Sequence, residues 1–206
     1  MIFSFSFDDA YFTWIEASKL LDDYGYKGVF NTCLRNVTHR RPKTRQRMFP
    51  DRDILTWDEV KDIHRRGHEI TSHGVRHVDL PNCSQEELEV ELNGSYNMFE
   101  DYDISVSSYA CAFNSWTPNV EKLSRQNYTS FRAGLGVNKL PLKDRKYYVM
   151  SAGDAVKYAI TNRNLNEWVI GAWHDVNLQG FKKRVTQIKD ANIKVKTVGD
   201  MYNDTR

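Results

Sequence analysis

The chain has 206 residues, 40% of them hydrophobic and 13% aromatic, which suits one folded domain with a sizeable core and excludes a disordered segment. Its 29 basic and 27 acidic residues leave a formal net charge of +2, so no overall field points to nucleic acid or to an anionic membrane. Cys33, Cys83 and Cys111 stand far apart with no C-x-x-C pair, which excludes a disulfide framework and a thiolate metal site.

The first element is "IFSFSF", Ile2 to Phe7, whose strict alternation predicts a strand. It runs into Asp8-Asp9, and "YFTWIEASKLLDDYG" follows as a helix that stops at Gly25. "KGVFNT" predicts the next strand. The segment Arg35 to Arg47 is densely basic without interleaved apolar residues, as in an exposed loop, and an anionic substrate or surface is the functional alternative.

Thr56 with Glu59 forms a capping box for a helix from Trp57 to Arg66 that ends at Gly67. A short strand then delivers "SHGVRH", with His73 and His77 four residues apart. Ser84 with Glu87 caps a second helix running to about Glu100. After "ISVSSYACAF", Thr117 is placed as an N-cap with Pro118 at the first helical position, and Tyr128 to Ala133 predicts another strand. "KYYVM" and "WVIGAW" are further strands, the latter ending in His174-Asp175. The remainder, from Phe181, reads as helix, strand and a short terminal helix.

About seven strands thus alternate with helices, without repeats or a linker, and the natural closure is a single-domain α/β barrel resembling a TIM barrel. In such a barrel functional groups gather at the C-terminal ends of the strands. Three strand ends here carry ligand or acid/base residue types: Asp8-Asp9, His73 with His77, and His174. Each has an ordinary explanation alone, as an N-cap, a surface pair or a satisfied core histidine. Together on one rim, a carboxylate and two imidazoles make three ligands for a divalent cation, leaving a position for water. One aspartate can bind the metal and the other take a proton; spacing does not say which.

These residues carry a resemblance to the polysaccharide deacetylases, the NodB-homology domain of carbohydrate esterase family 4. "FSFDDA" resembles the family's first motif, "SHGVRH" its H-[ST]-x-x-H motif, and "WVIGAWHDV" its late apolar strand ending in His. The resemblance covers nearly the whole chain, so the domain is expected to span 1–206. It implies a distorted (β/α)7 barrel with Asp8 as general base, Asp9, His73 and His77 as metal ligands, and His174 as general acid. The implied metal is zinc, with cobalt or nickel as alternatives. The implied reaction is hydrolytic removal of acetyl groups from N- or O-acetylated sugars by a metal-activated water.

Some positions depart from the family's pattern. The run matching its third motif, "YACAFNSW" from Tyr109 to Trp116, lacks the Arg that orients the catalytic Asp, and the fourth motif, an Asp with a Trp that tunes the acid His, has no clean match; Asp154 and Arg132 are the candidates for the missing support. Gly74 stands where many members have Ser or Thr. Tyr109, Ala110, Cys111 and Trp173 are the candidates for substrate or oxyanion contacts, although Trp116, Trp168 and Trp173 also suit the core.

The expected partner is an acetylated glycan or a small amide, with neither nucleic acid nor a membrane span. Hydrolysis of a cyclic amide or ureide, as in the allantoinase-like branch, and an inactive metal-containing glycan-binding domain are the alternatives. Met1 leads straight into a strand without a basic segment and an apolar h-region, so a cytoplasmic location is expected, a secreted form being the alternative.

Overall fold

The computed structural model describes residues 1–39 and 54–203, so most of the basic segment, residues 40–47, lies outside the described residues. Among the described residues there are nine strands: β1 (Ile2–Asp8), β2 (Val29–Thr32), β3 (Glu69–Ser72), β4 (Ser108–Ala110), β5 (Ser130–Leu135), β6 (Asn138–Lys139), β7 (Lys146–Ser151), β8 (Glu167–Trp173) and β9 (Lys194–Val195). Seven of them form a closed parallel barrel in the order β1-β2-β3-β4-β5-β7-β8, with β8 returning to β1. This is the (β/α)7 barrel expected from the sequence.

Helices α1 (Trp14–Asp23), α2 (Trp57–Arg65), α3 (Gln85–Glu89), α4 (Ser95–Asp101), α5 (Pro118–Ser124), α6 (Ala152–Thr161), α7 (Leu178–Asp190) and α8 (Val198–Asn203) complete the chain. Both predicted capping boxes are made, Thr56 with Glu59 and Ser84 with Glu87, and Thr117 Oγ1 accepts from Val120 N. The helix expected from Ser84 to about Glu100 carries a π turn, Val90–Gly94, between α3 and α4. Helix α6 is an addition to the sequence reading, although Ser151, its N-cap, with Asp154 three residues on has the form of a helix start.

The barrel works because β1 alternates. Phe3, Phe5 and Phe7 are fully buried against the helices, where their rings meet Trp173, Phe30 and Phe181 at centroid distances of 4.7–6.4 Å. Ser4, Ser6 and Asp8 take the opposite face, toward the barrel interior. The small serines leave room for large rings from other strands: Trp168 Nε1 donates to Ser4 Oγ at 2.8 Å, and Trp168 packs with Tyr147, Val149 and Ile170. Gly171 is needed for the same reason, because a Cβ there would approach the Trp173 ring to 2.7 Å.

Two junctions of the barrel are short: β3 and β4 share the single pair Ser72–Tyr109, and β7 and β8 share only Met150–Gly171 and Ser151–Ala172, the latter junction being the seam. Below that seam Asn138 bridges the two strands. Its Nδ2 donates to the carbonyls of Tyr148 (2.9 Å) and Trp168 (3.1 Å), and its Oδ1 accepts from Tyr148 N at 2.8 Å. The opposite end of the barrel from the strand C-termini is closed by α8, whose Val198, Met201 and Tyr202 join the Trp168–Tyr147 cluster.

Glu69 ties α8 down: its Oε2 accepts from Gly199 N at 2.8 Å and its Oε1 is sealed from solvent. Burial raises its pKa from 4.5 to about 7, against the opposing pull of the Gly199 N–H and Thr197. The folded state therefore holds this proton more tightly than the unfolded chain does. The resulting stabilisation is complete below pH 4.5 and is lost as pH rises toward 7, a change on the order of 3 kcal/mol. Denaturant unfolding across that window should show wild type losing stability with rising pH and Glu69→Gln showing a flatter profile; parallel profiles would refute the assignment.

Candidate metal and catalytic site

The C-terminal ends of the strands open into a cavity of about 400 Å³ whose walls include Asp8, His73, His77, Phe113, Arg132, Leu135, Met150 and His174. The structure thus gathers on one rim the residues that the sequence placed on three separate strand ends. Asp9 stands beside them, under a second cavity of about 170 Å³ that it shares with Tyr11, Arg35, Asn36 and His77.

Asp8 is 4% exposed and belongs to a polar network running across the barrel interior. Its Oδ1 accepts from Arg132 Nη1 at 2.8 Å and from Asn31 Nδ2 at 2.6 Å. Asn31 Nδ2 also lies 2.7 Å from Ser6 Oγ, and its Oδ1 accepts from Thr71 Oγ1. Burial pushes the Asp8 pKa up, but Arg132, with His73 and His174, holds it well below the usual carboxylate range. Its free oxygen, Oδ2, lies 3.9 Å from His174 Nε2 across the cavity.

Arg132 therefore supplies the group missing from the third motif, and it arrives from the next strand. A register shift in β5 between Arg132 and Gly134 leaves Ala133 unpaired, and such a bulge re-aims the neighbouring side chains. The guanidinium is 2% exposed, and its Nη2 also donates to the Cys111 carbonyl at 3.2 Å. Asp154, the other candidate, instead accepts from Ser151 Oγ at 2.6 Å in the first turn of α6.

Asp9, His73 and His77 each present a ligand atom within 4.8 Å of the others. His73 Nδ1 donates to the Ala110 carbonyl at 2.6 Å, which turns its Nε2 toward Asp9 Oδ1, 3.6 Å away. Burial lowers the His73 pKa to about 4 despite the nearby Asp8, so at neutral pH that nitrogen offers a lone pair. His77 Nε2 lies 3.2 Å from the same Asp9 oxygen, which is sealed from solvent and accepts no well-aligned hydrogen bond. Burial raises the Asp9 pKa, and the close approach of the His77 and His73 imidazoles outweighs it, so the net shift is downward. Converging lone pairs around an unsatisfied buried carboxylate oxygen suit a divalent cation, and the two-nitrogen, one-oxygen donor set suits zinc. Asp9 and His77 both hold positive φ, 80° and 58°, a strained arrangement typical of functional positions.

The expected substrate contacts sit differently. Tyr109, Ala110 and Cys111 are 0–1% exposed and Trp173 is 7% exposed, behind the cavity wall and not on it. They serve through their backbones or as core: Ala110 and Cys111 offer the carbonyls that hold His73 and Arg132, and Trp173 packs on Phe5 and Phe7. Beside Asp8, His73, His77, Arg132 and His174, the wall carries apolar residues that the sequence reading did not single out. Phe113 is 64% exposed at φ 57° with its ring 4.7 Å from His77, and Leu135 is 73% exposed. His174 is 60% exposed, and its neighbour Asp175 is tied to the start of α1, Thr13 Oγ1 donating to Asp175 Oδ1 at 3.0 Å.

Removing one partner of a buried ion pair leaves an uncompensated charge. Arg132→Met should therefore cost about 3–5 kcal/mol in unfolding experiments. It should cost clearly less in an Asp8→Asn background, because the orphaned charge is then gone. Equal costs in the two backgrounds would show that the pair is not coupled.

Among curated protein sequences none is significantly similar to this chain. Solved structures share its fold: a chitin deacetylase from the fungal pathogen Colletotrichum lindemuthianum (TM-score 0.66, 14% identity, covering 97% of this chain and 86% of that one). The carbohydrate esterase family 4 domain of a multidomain xylanase from the hindgut metagenome of Trinervitermes trinervoides aligns with TM-score 0.64 and 16% identity over 99% of this chain and 90% of that one. A family 4 pseudoenzyme from Bacillus anthracis aligns with TM-score 0.70 and 13% identity, covering 98% and 65%. At such identities the likeness concerns the fold alone. The sequence of residues 2–131 matches the polysaccharide deacetylase family model. With that match spanning more than half of its length, the chain belongs to the polysaccharide deacetylase family.

Proposed function

We propose that the protein is a metal-dependent hydrolase that removes acetyl groups from N-acetylated sugars of a glycan. The observation that carries this reading is the pairing, in one cavity, of an ionised buried carboxylate with an exposed imidazole beside a three-ligand cation site. Asp9, His73 and His77 are the ligands. A divalent cation bound there supplies Lewis acidity, polarising the acetyl carbonyl and easing deprotonation of a water.

The remaining work belongs to the chain's own side chains. Asp8 is the base: Arg132 and Asn31 occupy its Oδ1 and leave Oδ2 toward the cavity, where it takes the proton of the attacking water. His174, 3.9 Å from that oxygen, gives a proton to the departing amine nitrogen. Its exposure suits an acid that must recover its proton from solvent at each turnover. The exposed Phe113 and Leu135 form an apolar flank against which a sugar ring rests, while Val149, Met150 and Ala172 face the acetyl group. The substrate class draws support from family membership and from related structures described as chitin and peptidoglycan N-acetylglucosamine deacetylases.

The test is acetate release from N-acetylglucosamine oligomers by protein loaded with zinc or cobalt. Asp8→Asn should lower turnover by a factor of roughly 10² to 10⁴, the usual contribution of a general base. Release that survives the substitution would refute the role of Asp8. Hydrolysis of small ureides without acetate release would refute the substrate.

The smaller cavity beyond His77 extends the groove toward Arg35, whose Nη1 donates to the Arg76 carbonyl at 3.0 Å and is thereby held in place. In this reading the groove accepts a glycan carrying anionic groups. Arg35→Ala should raise KM for an acidic oligosaccharide several-fold at low salt and little at high salt, where surface charges are screened. A KM that responds equally for neutral and acidic substrates would remove the idea.

A further inference from the structure

The four-residue spacing of His73 and His77 is bridged by Gly74, Val75 and Arg76, a loop with no regular structure whose backbone polar groups nevertheless all find partners. Gly74 N donates to Ser72 Oγ at 3.2 Å. The carbonyls of Gly74 and Val75 accept from Leu34 N (3.0 Å) and Arg35 N (2.9 Å), and that of Arg76 accepts from Arg35 Nη1. The amides of Val75 and Arg76 turn the other way and converge on one oxygen, Glu91 Oε2, at 2.7 and 3.1 Å. Glu91 Oε1 accepts from Arg76 Nε at 2.7 Å. The loop is thus wrapped around a single carboxylate, which is 1% exposed.

Two further observations show how closely this carboxylate and loop are matched. Gly74 holds φ +79°, and a Cβ there would lie 2.7 Å from Glu91 Oε2 and 2.8 Å from the Tyr109 hydroxyl. The carboxylate therefore occupies the space that any other residue at position 74 would fill. Glu91 also sits inside the π turn between α3 and α4, where the extra residue rotates the side chain relative to a regular helix. The irregular turn has its own support, with Ser95 Oγ 2.6 Å from the Glu91 carbonyl and the Tyr128 hydroxyl donating to the Leu92 carbonyl at 3.0 Å.

We propose that Glu91 is the positioning residue of the metal site, holding the loop between His73 and His77 in its ligating shape before any cation arrives. The proposal rests on the ligand assignment made under Proposed function. Glu91 touches neither ligand nor substrate. It acts by fixing the backbone that carries His77 into its positive-φ conformation, much as carboxylates behind metal-bound histidines fix ring orientation.

The test reads cobalt binding and its visible spectrum in wild type, Glu91→Gln and Glu91→Ala, with folding followed by circular dichroism. Glu91→Gln keeps size but loses the charge and one acceptor. The expected result is cobalt affinity weaker by roughly 10- to 100-fold in both folded variants, the usual effect of removing such support, with a changed absorption envelope. Glu91→Asp should recover part of the affinity. Unchanged affinity and spectrum in both variants would overturn the proposal.

Amide exchange in metal-free wild type needs no variant: protection of Val75 and Arg76 N–H is expected, and exchange at open-loop rates would overturn the proposal even if the variants do not fold. Wild type that takes up no cobalt would instead sink the ligand assignment. The exchange result would still decide whether Glu91 holds the loop.

Discussion

The Asp8–Arg132 ion pair is the constraint around which the rest is arranged. It joins β1 to β5 across the inside of the barrel, with both side chains almost fully buried. A carboxylate in that position is tolerable only while the guanidinium and the Asn31 amide satisfy one of its oxygens. The same two contacts leave the other oxygen facing the cavity. One set of bonds thus both offsets the buried charge and decides which oxygen faces the cavity.

The polar interior follows from this. A barrel of this kind is ordinarily filled by branched apolar side chains. Here Ser4, Ser6, Asn31 and Thr71 line the first three strands, and bulk comes from Trp168 and Tyr147 on the far side. The apolar halves of the same strands face outward, where Phe3, Phe5 and Phe7 hold the helices. One strand with a two-residue period therefore serves both the apolar core and the polar interior.

Much of this was legible in the sequence. Capping boxes at Thr56 and Ser84, alternation in β1, and three strand ends carrying ligand or acid/base residue types each report a local rule, and local rules survive folding. The ligand atoms of Asp9, His73 and His77 converge as the barrel order requires. What sequence could not rank was the support behind them. Arg132 and Asp154 were equal candidates until the bulge in β5 turned one inward, and nothing in a helix that reads as continuous marks the π turn at Val90–Gly94 or singles out Glu91. Burial also separates Tyr109 and Cys111 from Phe113, although all three lie in one short run; only the left-handed backbone at Phe113 lifts its ring onto the rim.

The seam between β7 and β8 gives the cavity two unlike sides. Met150, Ser151 and Ala172 line it and are also part of the two residue pairs that join these strands. Remodelling the cavity on that side would fall on residues that also close the barrel. Phe113, in the turn after β4, is exposed and belongs to no strand pair, whereas the equally exposed Leu135 ends β5 and pairs with Val149 of β7. The shape of the cavity is therefore least constrained at Phe113, which lies on its wall but outside every strand pair of the barrel.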